Sequence, residues 1–205
     1  MKRNLSIWLF FLLCFAIPLA VFGIVNWYEN NKSKLPQYGG PQHHIGSFQL
    51  KNQHGEQVGL SRWKGKIVVA NFFFTHCPVV CPKMMNQLKS VQQALGEDQK
   101  VFFASISVDP QRDSVGRLLE YAQRLSIPVT GWDLLTGDKK QIYRLARKSF
   151  LLVATDGDGG ENDFIHSDQL VLIDRQLRIR GFYNGTEQKE AQQLLTDIKK
   201  LKNEN

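Results

Sequence analysis

The sequence predicts an α/β domain with a largely parallel sheet, carried behind an N-terminal membrane-spanning helix. Three observations carry that expectation. Apolar runs rich in β-branched and aromatic residues alternate with segments of helical periodicity, the order of strands joined by crossover helices. Two of those runs, "IVVANFFF" (67–74) and "VFFASISV" (101–108), are continuous rather than alternating, as strands buried on both faces are. Finally, "IWLFFLLCFAIPLAVFGIV", from Ile7 to Val25, carries no charge over roughly the length a bilayer-crossing helix needs.

The N-terminal segment, residues 1–30, is read as an uncleaved anchor with its flanks. A cleaved signal peptide would want a shorter apolar region and a small-x-small site, whereas "PLAVFGIV" offers only Val21 and Gly23. "FLLC" before Cys14 lacks the small residues that precede a lipidated cysteine, so Cys14 is expected within the bilayer. Lys2 and Arg3 sit tightly before the span, while Lys32 and Lys34 follow at a distance, which favours N-inside. Trp8, Trp27 and Tyr28 lie near the ends, where interfacial aromatics belong. The expectation is a single-pass protein of the inner or plasma membrane, its domain facing the periplasm or exterior. Residues 31–46 lie within the polar, Gly- and Pro-containing stretch "YENNKSKLPQYGGPQ" and the residues after it, and are expected to be a linker.

The domain is expected over 47–205. Its opening, "SFQLKNQHGEQVGLSRWKGK", places a turn between short alternating segments, as a small hairpin does. Strand 67–74 is followed by "PKMMNQLKSVQQALG", where Met84, Leu88, Val91 and Leu95 form one stripe and Gly96 is the stop. After strand 101–108, "DSVGRLLEYAQRL" reads as a helix capped by Asp113 or Ser114. "GDKKQIYRLARKSF" reads as a third helix. "DQLVLID" and "RIRGFYNG", joined by "RQL", form an antiparallel pair, and "TEQKEAQQLLTDIKKL" closes the domain as a helix capped by Thr186. A thioredoxin-like domain fits that order.

The chain has 205 residues and a net charge of +7. Its lysines cluster only in "DIKKLKNEN" and elsewhere mix with acids, so the charge pattern describes a solvated basic face and no nucleic-acid partner is expected. An exported domain can keep a disulfide.

Two of the three cysteines, Cys77 and Cys81, stand in "NFFFTHCPVVCPKMM" at the first strand-to-helix junction. Residues i and i+4 share one helix face at a separation that a disulfide spans and that lets two thiolates meet one ion. Pro82 suits a first helical turn, and free N–H groups there acidify a nearby thiol. A structural bridge across so short a loop removes little unfolded-state entropy. Zinc wants four ligands, more than the domain's two cysteines supply alone. Thiol redox chemistry fits an accessible, exchangeable pair, and two thiolates with an imidazole suit Cu(I). Five histidines are available: His43 and His44 in the linker, His54 in a turn, His76 beside Cys77, and His166 at a strand entrance after "TDGDGGEND". The acids of that loop, Asp156, Asp158, Glu161 and Asp163, lack the order of a calcium-binding EF-hand, so a flexible solvated loop is expected over 155–163.

"NFFFTHCPVVCPKM", "SISVDPQRDSVGRLLEYA", "GWDLLTG" and "HSDQLVLID" occur in the order found in the Sco/SenC family, which the chain resembles from about Phe48 to Leu201. That resemblance implies a membrane-anchored copper protein of thioredoxin fold that supports assembly of the copper centre of cytochrome c oxidase. It implies copper ligands at Cys77, Cys81 and His166, with Asp109 beside the metal site. It further implies an exported copper-site subunit of the oxidase as recipient, with an upstream copper donor as a possible second partner. Enzymatic activity is not required by this reading. The rival reading makes Cys77 and Cys81 a redox pair, a thiol-disulfide reductase that keeps the oxidase cysteines reduced. His76, before the first cysteine, and the Gly- and Asp-rich loop before His166 depart from the family pattern.

Overall fold

A computed structural model describes residues 2–32, 34–96, 98–128, 130–152, 165 and 167–204. Two compact units are present: the N-terminal segment to Lys34, and a domain running from Leu35 to Asn203.

The first unit is one helix, α1 (Lys2–Lys32), which continues through Pro18. Trp8 and the large apolar side chains from Phe10 to Val25 are exposed, as is Cys14. Among the described residues no helix is long and apolar enough to cross a membrane; side chains of α1 are described at Trp8 and from Phe10 to Asn26.

The domain is built on one seven-stranded mixed sheet. In chain order its strands are β1 (Gln49–Asn52), β2 (Gln57–Gly59), β3 (Ile67–Phe73), β4 (Val101–Ser107), β5 (Trp132–Thr136), β6 (Gln169–Ile173) and β7 (Ile179–Asn184). Across the sheet they run β2-β1-β5-β4-β3-β6-β7. The centre, β5-β4-β3, is parallel, and the outer pairings are antiparallel. Helices α2 (Val80–Leu95), α3 (Val115–Arg124), α4 (Lys139–Arg144) and α5 (Gln188–Asn203) complete it. This is the mixed α/β, thioredoxin-like order expected.

Every residue of β3 and β4 is buried, which explains their unbroken apolar runs. Alternate residues of β3 feed two cores. Ile67, Val69 and Phe73 pack with α2, α3 and α5; Val68, Ala70 and Phe72 pack with Trp63, α4 and Phe150. Met84, Leu88 and Val91 form the buried stripe of α2, and Gly96, at φ 67°, ends it in the left-handed region where a side chain is disfavoured.

The structure departs from the sequence reading at four places. β5 was not expected as a strand: it has only five residues and carries an acid at its second position. Burial of Asp133 there is made possible by Arg62 Nε at 2.7 Å and Asn52 Nδ2 at 3.2 Å. The predicted third helix is a short α4 that widens into a π-helical turn over Leu145–Ser149. Thr186 does not cap α5; its N–H and hydroxyl both donate to Asn184 Oδ1, at 2.8 and 2.7 Å.

The fourth departure is the segment 35–46, expected as a linker. Arg180 donates to the carbonyls of Leu35 and Pro36 at 2.7 and 3.1 Å. Tyr38 N–H reaches Ile179 O, Ile45 N–H reaches Leu177 O, and the Tyr38 ring stands edge-on to Phe182. His43 Nε2 lies 2.9 Å from Ser149 O. The segment is a strap along the β6–β7 side of the domain.

Candidate metal centre

Because β3 and β4 are parallel and Phe73 is level with Ser107, their following loops leave the sheet side by side. Val108 N–H donates to Phe73 O at 2.9 Å and continues that pairing past the strand ends. Residues 74–79 and 108–114 therefore form one surface, as expected of a site at strand ends in an α/β sheet.

Cys77 is half-buried in the first loop, and Cys81 is buried in the first turn of α2, within the core cluster that holds Met84 and Tyr121. Both are free thiols. α2 has no side-chain oxygen as its cap. Its exposed N–H groups turn to sulfur instead: Cys81 N–H donates to Cys77 Sγ at 3.3 Å. Burial acts to raise the Cys77 pKa, but hydrogen bonds from the backbone and thiol of Cys81 and the backbones of Val79 and Val80 outweigh it. The Cys77 thiol ends below its ordinary value. Cys81 behaves oppositely. Burial pushes it up to about 12, and the nearby Cys77 and Asp113 add to the rise. The turn thus holds one acidified, reachable sulfur and one protected sulfur.

Asp113 is fully buried under the loop. Its Oδ2 accepts from Thr75 N–H at 3.1 Å and from Ser107 Oγ at 2.6 Å, and its Oδ1 accepts from Thr75 Oγ1 at 2.5 Å. Thr75 Oγ1 also lies 3.2 Å from His76 Nδ1. The single hydroxyl proton of Thr75 is given to Asp113, so in that contact His76 Nδ1 is the donor. His76 Nδ1 is 4.0 Å from Asp113 Oδ1.

Asp109 forms the turn after β4. Its carbonyl accepts from Arg112 and Asp113 N–H, and its carboxylate is 3.8 Å from Arg112 Nη1. Ser114, not Asp113, caps α3 by accepting from Arg117 N–H at 3.3 Å. Asp113 is thus the residue the sequence reading assigned elsewhere. The signal that could have found it is a redundancy: two adjacent candidates for one cap leave one free for another task.

His166 and the loop 155–163 lie outside the described residues. Among the described residues no three His, Cys, Asp or Glu side chains gather as for a metal ion. His44 Nδ1 is 2.8 Å from the Gln42 carbonyl, and His54 sits in the β1–β2 turn, where its N–H donates to Asn52 Oδ1. The donors assembled at the junction are therefore the two sulfurs, with the His76 ring beside them.

The sequence matches the SCO1/SenC family over residues 36–203. It is 32% identical over 154 residues to the SCO1 protein homolog of Bacillus subtilis, covering 74% of this chain and 79% of that one. The solved structure of BsSco, described as a member of the Sco family of cytochrome c oxidase assembly proteins with a disulfide switch, is similar at TM-score 0.68 and 28% identity. That match covers 82% of this chain and 97% of the other. The structure of Bradyrhizobium japonicum ScoI with copper bound is similar at TM-score 0.62 and 29% identity, over 77% of this chain and 99% of the other.

Proposed function

The chain belongs to the SCO1/SenC family, and from that premise we propose that it is a membrane-tethered copper chaperone for cytochrome c oxidase assembly. The observation that carries this reading is the pair of free cysteines on one turn, Cys77 partly exposed and Cys81 buried. Two thiolates suit Cu(I), and an imidazole is a fitting third donor. The ligands proposed are Cys77, Cys81 and His166, with Asp109 orienting the site from the neighbouring loop. Relatives solved with copper bound support the metal, and BsSco's description as an oxidase assembly protein supports the recipient. Helix α1 is proposed to cross the inner or plasma membrane with its N-terminus inside, placing the domain in the periplasm or exterior. Resistance of the full chain to alkaline carbonate extraction tests that placement.

His166→Ala separates delivery from thiol chemistry, because imidazole completes a copper site but exchanges no electrons with a disulfide. In cells carrying only this variant at normal level, oxidase copper content and activity are expected to fall, with partial rescue by added copper. Normal oxidase alongside a demonstrated loss of copper binding would overturn delivery through this site.

One observation favours the second reading, a thiol-disulfide reductase acting on the oxidase cysteines. An acidified, reachable Cys77 backed by a buried Cys81 has the asymmetry of an exchanging dithiol. Under that reading His166→Ala leaves oxidase maturation intact.

A further inference from the structure

The end of the sheet opposite the cysteine loop is basic. Three loops and one helix end meet there. Gly65 N–H donates to Arg175 O at 3.3 Å, Ile67 N–H to Lys100 O at 2.8 Å, and Arg175 Nη2 to Lys202 O at 3.2 Å. Lys64, Lys66, Lys100, Arg175 and Lys202 are thereby gathered around the entrances of β3 and β4 from distant parts of the sequence. The acids of these loops are already engaged, Asp98 with Lys202 and Asp174 with Arg178 and Arg180. Lys64 and Lys100 are exposed; Lys66 is half-buried, its ammonium 5.0 Å from the centre of the Phe102 ring. None of these three lysines has an acid partner among the described residues.

The chain enters the domain at this same end. Arg180 Nη2 and Nε donate to the Leu35 and Pro36 carbonyls, and its Nη1 donates to Asp174, the residue before Arg175. Leu35 comes three positions after Lys32, the last residue of α1, a reach of about 10 Å at most. Seven residues of β3 then put about 20 Å between this end and the cysteine loop.

We infer that this basic end is a docking surface for the anionic phospholipid headgroups of the bilayer that α1 crosses. This rests on the crossing proposed above. A domain tied so close to a bilayer meets it at high effective concentration, so a few lysines, each weakly attracted, are enough to settle it there. The short tether to α1 is what favours lipid over an acidic protein as the occupant. Docking at this end holds Cys77 and Cys81 away from the headgroups, open to an incoming partner.

The test places the full chain in vesicles of phosphatidylcholine alone, or of equal parts phosphatidylcholine and phosphatidylglycerol. Brief lysine acylation with a membrane-impermeant reagent is read by peptide mapping, relative to Lys83, which is exposed in the first turn of α2. In the anionic vesicles Lys64, Lys66 and Lys100 should be acylated several-fold more slowly than in the neutral ones, and high salt should restore their rates. With Lys64→Glu and Lys66→Glu together, Lys100 should regain its neutral-vesicle rate. Lys51→Glu with Lys140→Glu makes the same change of charge near the C-terminal end of β5 and should leave Lys100 protected. Loss of that protection in both pairs, or in neither, would overturn the docking face. Equal lysine rates in the two kinds of vesicle, in a chain that resists carbonate extraction, would overturn this inference alone, and are what a face built for an acidic protein gives. A chain that carbonate releases from the vesicles removes the crossing and this inference with it.

Discussion

The carboxylate of Asp113 accepts hydrogen bonds from both the backbone N–H and the side-chain Oγ1 of Thr75, at 3.1 and 2.5 Å. Thr75 stands two residues before Cys77, so a side chain from the loop after β4 sets the path of the cysteine loop. Asp113→Ala would leave these two donors and Ser107 Oγ without an acceptor in a buried place. A cost of about 3 kcal/mol or more is expected, since three donors are stranded and each costs ~1–3 kcal/mol. Asp113→Asn, which keeps one oxygen, should cost less, and both should weaken copper retention. Urea denaturation and chelator competition measure the two effects; an Ala variant as stable and as tightly loaded as wild type would refute the role.

Much of this was legible in the sequence, and the reasons are physical. Short continuous runs rich in β-branched and aromatic residues fit strands covered on both faces, so β3 and β4, and the cysteines at the exit of β3, could be read directly. β5 could not, because five residues around Asp133 look unlike a strand until Arg62 and Asn52 arrive from elsewhere in the chain. The same limit hid Asp113: its three donors come from Thr75 and Ser107, contacts fixed by strand register rather than by local spacing. The strap over 35–46 reads as polar linker because it is held largely through its own backbone carbonyls and amides, which no residue pattern announces.

The two cysteines should differ in reactivity. Cys77 titrates below the ordinary thiol value, whereas Cys81 is held protonated up to about 12. As pH rises, the alkylation rate of Cys77 in the metal-free, reduced chain should climb first. That of Cys81 should stay low through the neutral and mildly alkaline range, because the thiolate is the nucleophile. Peptide mapping after brief iodoacetamide treatment at stepped pH reads both rates. Equal labelling near neutrality would contradict the geometry of the turn.

Oxidation should gate copper. Joining Cys77 to Cys81 removes both thiolates, so the oxidised chain is expected to lose high-affinity Cu(I) binding and recover it on reduction. The reduced chain should take one copper per domain, and Cys77→Ser or Cys81→Ser should each abolish tight binding by removing a soft donor. Mass spectrometry identifies the bridge. A bond from Cys14 to either cysteine would be incompatible with an anchor helix buried in the bilayer.

Arg180 is expected to be the clasp of the strap. Its guanidinium serves three acceptors at once, Leu35 O at 2.7 Å, Pro36 O at 3.1 Å and Asp174 Oδ2 at 3.1 Å, and it is 7% exposed. Asp174 is also held by Arg178 Nε at 2.8 Å and by the N–H groups of Gln176 and Arg178. Arg180→Ala therefore leaves the carboxylate partly paired but frees two strap carbonyls. The loss should be about 2–3 kcal/mol, below the ~3–5 kcal/mol of a buried charge left with no partner. Arg180→Lys keeps the charge, but an ammonium is a compact point donor without the planar fork that reaches three separated oxygens, so it should fall between. The local effect is more telling than the global one. Without the Arg180 bonds, the strap is still tied by Tyr38 N–H to Ile179, Ile45 N–H to Leu177, His43 to Ser149 O and Gly46 N–H to Ser149 Oγ, among others. Limited proteolysis should then cut within 35–44 several-fold faster in Arg180→Ala than in wild type, while cleavage elsewhere keeps its rate. Unchanged cleavage in that window, in a variant whose global stability has fallen, would show that the strap is held by its backbone ties and not by Arg180.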